Sequence, residues 1–349
     1  MSDPDPQLAD LGHRLQRHFR WAERAWRWVP ARLRPRAAAL VGRTFTPDLP
    51  EAHRIWMGLQ AYAGCSDAVA HELLARYFSS QGLFATEIHD YPRLDAEWAR
   101  TEVRCDEREL LAEVVRSGGL VLTYHSFHHN KLGAFLGLSG AKVYGIAGTE
   151  DNSPLKPWTG RYIRLLNGGS EAGFGGGRYL FTDDLRGTLR ESRAALARGD
   201  VLVSLADNIS DAPTAVPADI AGRRLRVATG VIDLALEAKA PITLAIFYSD
   251  LNGGHRCRLR RVEAPADAAE VVKIYIEQLL AWTRDEMHAW QGWGWWDHIA
   301  FTPGEEPQGL ERQASAPARF AASRPPLTLA QRLLRLADAI EQRIRPPRP

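Results

Sequence analysis

Apolar residues recur along this chain in two rhythms, one helical and one of short solid runs, and the change between them divides it into regions. Leu8, Leu11, Leu15, Phe19, Ala22 and Trp26 fall at the three-to-four-residue spacing of a single helix face. Helical patterns continue over 53–62, 68–78 and 106–116. After Gly118-Gly119 the rhythm changes: residues 119–124 are a short, almost unbroken apolar run, which predicts a buried strand. Similar runs follow at 142–147, 201–205 and 241–248, and 256–262 reads as an edge strand. Helical stretches occupy 228–239 and 268–290. Strands alternating with helices predict an α/β fold with a mostly parallel central sheet flanked by helices. Past Phe301, residues 303–326 are rich in Pro, Gly, Ala and Ser and read as a linker. Leu329, Leu333, Leu336, Ile340 and Ile344 then return to helical spacing beside Arg332, Arg335, Arg343 and Arg345. The expected layout is a basic amphipathic region at 1–50, a core at 51–302, a linker at 303–326 and an amphipathic C-terminal helix at 327–349.

Composition narrows the partners. A formal net charge of +2 over 349 residues leaves no global field for nucleic acid, which is not an expected partner. Charge is instead local: between Arg14 and Arg43, nine arginines are opposed only by Glu23, with Trp21, Trp26 and Trp28 among them. Two readings stand for this segment. It lies in a headgroup layer with arginines on anionic lipid, or it packs its apolar stripe on the rest of the protein. No segment approaches the ~18–20 apolar residues of a spanning helix. The nearest, 231–248, is interrupted by Asp233, Glu237, Lys239 and Pro241, and the N-terminus has no apolar signal core. Any membrane contact is therefore expected to be peripheral. The three cysteines, Cys65, Cys105 and Cys257, lack ligand spacing and read as small reduced hydrophobes.

Candidate chemistry sits where apolar strands end, the edge at which open α/β sheets bind ligands. His125 directly follows the run at 119–124, where an imidazole can take a proton from a hydroxyl near neutral pH. His128 and His129 lie close by but have no carboxylate or cysteine at ligand spacing, so no metal site is expected. They also miss the His-His-x-x-x-Asp-Gly pattern, because Gly133-Ala134 stands where Asp-Gly should. Asp207 follows the run at 201–205 and can orient or charge-balance a base on a neighbouring strand. Ser126 lacks a nucleophile-elbow sequence. The glycines from Gly168 to Gly177 lack phosphate-loop spacing and read as a flexible loop.

From about residue 50 to 301 these pieces resemble the lysophospholipid-acyltransferase superfamily. The resemblance is to the late acyltransferases of lipid A biosynthesis and their actinobacterial phosphatidylinositol-mannoside relatives. Gly118 to Asn130 has the shape of a glycine turn, apolar strand and His-x4-Asp/Glu motif. Asp207-Asn208 matches a strand ending in Asp-Gln. Ala221-Gly222, Ala228-Thr229-Gly230 and Ala240-Pro241 match the segment around the following helix, and Trp296-Asp297-His298 matches a closing Trp-x-His.

The resemblance implies acyl transfer from an acyl carrier protein or coenzyme A thioester to a hydroxyl of an amphipathic lipid or glycolipid acceptor. It places that reaction on the cytoplasmic face of the inner membrane and requires no cofactor beyond the thioester co-substrate. His125 would be the base, with Asn130 at the motif's acid position or Asp207 behind the imidazole. Glu150, Arg161, Arg164, Asn208 and Thr229 would be substrate-binding positions. Two departures are visible: Asn130 replaces the motif's carboxylate, and the Arg/Trp segment replaces a spanning helix. An Asn holds an imidazole but supplies no negative charge. Two alternatives follow, a thioesterase using the same site and a catalytically silent lipid- or carrier-protein-binding component.

Overall fold

The apolar run behind the glycine pair forms the middle of the main sheet. The computed structural model describes residues 6–45, 52–148, 156–207, 214–220, 223–298, 300–301 and 316–344. Its strands are β1 (Val103–Cys105), β2 (Gly119–Thr123), β3 (Val143–Ala147), β4 (Arg178–Phe181) and β5 (Val201–Leu205), then β6 (Val216–Ile220), β7 (Arg223–Val227), β8 (Ile242–Ser249), β9 (His255–Val262) and β10 (Ala300–Phe301). Seven of these form one sheet in the order β1-β9-β8-β2-β5-β3-β4. β8, β2, β5, β3 and β4 run parallel, whereas β9 is antiparallel to β8 and carries β1 parallel to itself. The sheet is mostly parallel, as the pattern predicts. A small antiparallel sheet, β10-β7-β6, stands apart.

The N-terminal helices are α1 (Pro6–Trp28), α2 (Arg34–Phe45), α3 (Ala52–Ala63), α4 (Asp67–Thr86), α5 (Ala96–Thr101) and α6 (Arg108–Ser117). Then come α7 (His129–Leu138), α8 (Lys156–Glu171), α9 (Leu185–Ala197), α10 (Gly230–Glu237), α11 (Ala268–Asp285), α12 (Ala316–Ser323) and α13 (Leu329–Ile344). They cover both faces of the main sheet. Leu120 and Leu122 of β2 point into a cluster with Trp56, Leu59, Phe78 and Leu279 from α3, α4 and α11. Val121 points the other way, toward Trp98, Val114, Leu132 and Phe135 from α5, α6 and α7. A strand buried on both faces must be apolar at every position, which is why β2 reads as a solid run. Each such side chain contributes roughly 1.5–3 kcal/mol on full burial.

Entry into β2 requires glycine. Gly118 and Gly119 have φ of +65° and +114°, and a Cβ on Gly119 would sit 2.3 Å from the Pro241 carbonyl oxygen. The glycines before β4 serve a similar end. A Cβ on Gly177 would lie 1.7 Å from the Val143 carbonyl oxygen, so this stretch is pressed against β3 and is not the loose loop its composition suggests.

Other expectations shift. The run at 256–262 is not the edge strand, because β1, three residues long and too short to announce itself, pairs outside it. The helix expected to reach 290 stops at Asp285 and passes into short 3₁₀ turns. His129 to Lys131, to which the sequence pattern assigned no element, begin α7. Within the expected linker, 316–323 are helical: Phe320 packs on Trp56 and His71, and Arg319 pairs with Asp67 at 2.6 Å. Residues 303–315 lie outside the described residues. α1 turns its stripe inward, with Ala22 fully buried, Phe19 stacked on Tyr162 and Trp26 on His89. No described helix is long and apolar enough to cross a membrane.

The Gly119→Ala variant is expected to lose about 2 kcal/mol or more in urea unfolding, from strain and overpacking. Gly168→Ala, in α8 with nothing within 4 Å of its added methyl, serves as the control and is expected to be neutral or mildly stabilising.

Candidate active site

The register of β2 and β5 builds the centre of the site. Every pair between them, from Gly119 with Val201 to Thr123 with Leu205, is offset by the same number of residues. The ladder continues one step as Ala206 N–H donates to the Thr123 carbonyl. Two residues beyond the strand ends, the same offset brings His125 opposite Asp207. The His125 Nδ1 lies 2.8 Å from Asp207 Oδ1, and the His125 backbone N–H reaches both carboxylate oxygens at 3.1 and 3.0 Å. A third donor comes from far along the chain: the Trp290 indole N–H donates to Asp207 Oδ2 at 2.8 Å.

Asp207 is fully buried. Burial alone would push its carboxyl up, but the His125 charge, the His125 hydrogen bonds and the Trp290 indole outweigh this. Together they hold it below the usual carboxylate range. A carboxylate on Nδ1 keeps the proton there in the neutral ring, which makes Nε2 the nitrogen able to accept one. The segment bearing Trp290 is clamped to the histidine turn. Gln291 N–H donates to the His125 carbonyl at 2.7 Å, and Phe127 N–H to the Ala289 carbonyl at 3.1 Å.

His129 packs its ring edge-on to His125, with centroids 5.2 Å apart, and its Nδ1 meets the Ser126 carbonyl at 2.7 Å. Burial, then the neighbouring His125 charge, push its pKa down to about 3, so it is neutral at physiological pH. Ser126 is fully buried and donates its hydroxyl to the Phe247 carbonyl, a bonded interior position unsuited to a nucleophile.

Asn130 does not take the place its motif position suggests. Turned into the first turn of α7, its Oδ1 accepts from the Tyr179 hydroxyl at 3.2 Å, and that hydroxyl also lies 2.8 Å from Ser170 Oγ. Strand register, not spacing along the chain, selects the carboxylate behind His125. On the other side of the same turn, His128 Nδ1 lies 3.7 Å from Glu87 Oε1, and buried Lys131 bonds Asp90 at 2.6 Å. Among the described residues no group of three or more His, Cys, Asp or Glu side chains is arranged to hold a metal.

His125, His129 and Asn130 line a cavity of about 240 Å³. Its walls are Phe84, Ile146, Ile163, Leu166, Phe174, Val203 and Leu205. A larger groove of about 700 Å³ lies on the opposite side of α8, with Phe19, Glu23, His89, Tyr162 and Leu165 among its lining residues. Arg161 lines that groove and not the cavity, because 161 and 165 face α1 while 163 and 166 face the sheet. Thr229 Oγ1 bonds Asp233 and the Thr214 carbonyl at the start of α10, outside the cavity wall. Arg164 is exposed on α8. Glu150 and Asn208 lie outside the described residues, as do the side chains of Trp296, Asp297 and His298. Sequence reasoning missed Trp290, Tyr179 and His129 as parts of the site. Of these only Trp290 left a signal, in the tryptophan-rich run that follows α11.

Neither a protein-family profile nor a characterised protein sequence matches the chain. Among solved structures it is similar to the 1-acyl-sn-glycerophosphate (LPA) acyltransferase PlsC from Thermotoga maritima. The two share 16% identity at a TM-score of 0.32, over 70% of this chain and 97% of that one. A likeness this loose transfers nothing about chemistry, which rests on the site itself.

The hydrogen-bonded carboxylate is testable. Trp290→Phe removes one donor to a buried charge, with an expected cost of about 1.5–3 kcal/mol. It also raises the Asp207 pKa, so acid unfolding begins at a higher pH than in the parent. A broader pH dependence follows from His18, His129 and His288, which burial holds at about 4, about 3 and about 3. The unfolded chain protonates these groups near pH 6.5 and the folded chain does not. Stability is therefore expected to fall as pH drops from about 6.5 toward 3, each group contributing up to about 1.4 kcal/mol per pH unit. Urea midpoints across that range measure it. A flat profile between pH 7 and 5 contradicts it.

Proposed function

We propose that this protein transfers a fatty acyl group from a thioester, carried by an acyl carrier protein or coenzyme A, to a hydroxyl of an amphipathic lipid or glycolipid acceptor at a membrane surface. One observation carries the reading: a histidine backed by a buried carboxylate lines a small, mostly apolar cavity at the carboxyl ends of parallel strands. An apolar cavity with a base in its wall suits an alkyl chain whose carbonyl stops beside the imidazole.

In this mechanism His125 Nε2 takes the proton of the acceptor hydroxyl as its oxygen attacks the thioester carbonyl carbon. A tetrahedral intermediate forms, the carbon–sulfur bond breaks, and the departing thiolate receives the proton from the imidazolium. Asp207 keeps the ring in the required tautomer and stabilises the positive charge while it exists. Trp290 acts through Asp207, as a positioning residue. His129, held neutral, adds no competing charge beside the imidazolium. A catalytically silent role was suggested by the missing acid at position 130. The Asp207 carboxylate on His125 Nδ1 supports the acyl-transfer reading over that one.

In transfer assays with a radiolabelled acyl thioester and dispersed lipid acceptor, His125→Ala is expected to lose a factor of about 10²–10⁴. Asp207→Asn is expected to lose about 10⁴ through the wrong tautomer, whereas Asn130→Ala stays within a few-fold of the parent. The opposite ranking at 207 and 130 would sink the assignment, and free acid as the main product from the parent enzyme would favour a thioesterase. Ile146→Phe, which narrows the cavity, is expected to shift preference toward shorter acyl chains. Unchanged chain-length preference would remove the acyl chain from that cavity.

A further inference from the structure

Helix α13 is mounted with its polar side against the protein. Asp338, almost fully buried, accepts from the Trp21 indole at 2.9 Å and lies 3.8 Å from Arg17. Arg335 donates to the Thr44 carbonyl at 2.9 Å and Gln331 to the Arg43 carbonyl at 3.3 Å. Leu334 is the one leucine of the helix packed on the cluster of Ala22, Ala25, Val41 and Ala85.

The opposite side of the helix carries Leu329, Leu333, Leu336 and Ile340, which at 3.6 residues per turn fall within an arc of about 60°. They are 73%, 57%, 57% and 49% exposed. Only ten large hydrophobic side chains are exposed among the described residues, so four of them lie on this one stripe. A helix whose only business was to cover the protein would turn half a revolution. That would bury the leucines and spare Asp338 its desolvation. The observed mounting leaves a contiguous apolar ridge facing outward.

The geometry points to α13 as an in-plane membrane helix that lays the Leu329–Ile340 ridge into the headgroup and acyl boundary of an anionic bilayer. Charge identifies the occupant. Asp338 is turned inward, so the described outward side chains from Leu329 to Ile340 include the exposed cation Arg332 and no acid. An apolar stripe bordered by arginine on a helix too short to span is the pattern of an interfacial helix. The assignment moves the docking surface away from α1, whose own stripe is occupied by Tyr162 and His89. It deepens the membrane-surface reading proposed above, but it does not depend on the catalytic chemistry.

Flotation of the purified full-length chain with vesicles tests it. Binding to phosphatidylethanolamine vesicles containing phosphatidylglycerol is expected for the parent and for His125→Ala alike. Leu333→Gln/Leu336→Gln, which alters only exposed side chains, is expected to bind about tenfold more weakly or worse, with an unchanged thermal midpoint. Arg332→Glu is expected to weaken binding to these vesicles but not to pure phosphatidylcholine. Turnover of the leucine variant on detergent-dispersed acceptor is expected to match the parent. If the double variant floats as well as the parent, the ridge is not the docking surface. If the parent fails to float and the same substitutions instead dissolve a dimer seen by light scattering, the ridge is a contact between copies and the proposal is overturned. Loss of transfer in all forms, with flotation behaving as described, would overturn the catalytic reading and leave this one standing.

Discussion

A carboxylate with no access to water organises the centre of this protein. Removing an ion from water costs several kcal/mol unless donors replace the lost solvent. Asp207 receives its donors from two distant places, the turn after β2 and Trp290 beyond α11. Each is held by the need to satisfy the same charge. The closing segment of the core therefore docks on the end of the central strand, and the imidazole between them has one orientation and one tautomer. Packing alone would hold these elements together, but it would not set the ring.

Around that charge, the first turn of α7 separates two environments. Toward the sheet, His129 and Asn130 border a mostly apolar cavity that His125 also lines. On the other side, buried His128, Lys131 and Glu87 join half-buried Asp90 and His255 in a polar cluster. Four consecutive polar residues in the sequence thus serve different surroundings, because helical residues point in successive directions about 100° apart. The larger groove beside α1 has volume, and Glu23 and His89 on its wall, but Glu23 pairs with Arg27 at 2.7 Å, whereas His125 is bonded to a fully buried carboxylate. Chemistry, not size, selects the smaller cavity as the site.

The two terminal helices carry similar patterns of leucine and arginine and meet opposite fates. α1 spends its apolar stripe on the protein. α13 docks on α1 and α2 through Asp338, Gln331 and Arg335 and leaves its stripe outside. Nothing in periodicity separates these cases, since a helix that packs on a protein and one that lies on a bilayer need the same stripe. The difference lies in which neighbour offers a complementary surface, and that is a property of the assembled molecule.

Much of the sheet was legible because burial on both faces leaves a strand no choice but an apolar run. β2, β3, β5 and β8 follow within a residue or so from that constraint. β1, β4 and the small sheet were not legible, being short or only half-buried, and the glycine-rich stretch hid close packing behind a composition typical of loops. His125 was marked by its place at the end of an apolar run, and Asp207 by the same rule, each from a few neighbouring residues. That they belong together was decided only by the pairing of β2 with β5. The sequence left two candidates behind the imidazole, Asn130 at the motif position five residues along the chain and Asp207 at a neighbouring strand end. Sequence by itself determined which residues could do chemistry at strand ends, because the hydrophobic pattern sets where strands stop. The tertiary structure decided which of them meet, because register, and the donors a buried charge demands, exist only between segments far apart in the chain.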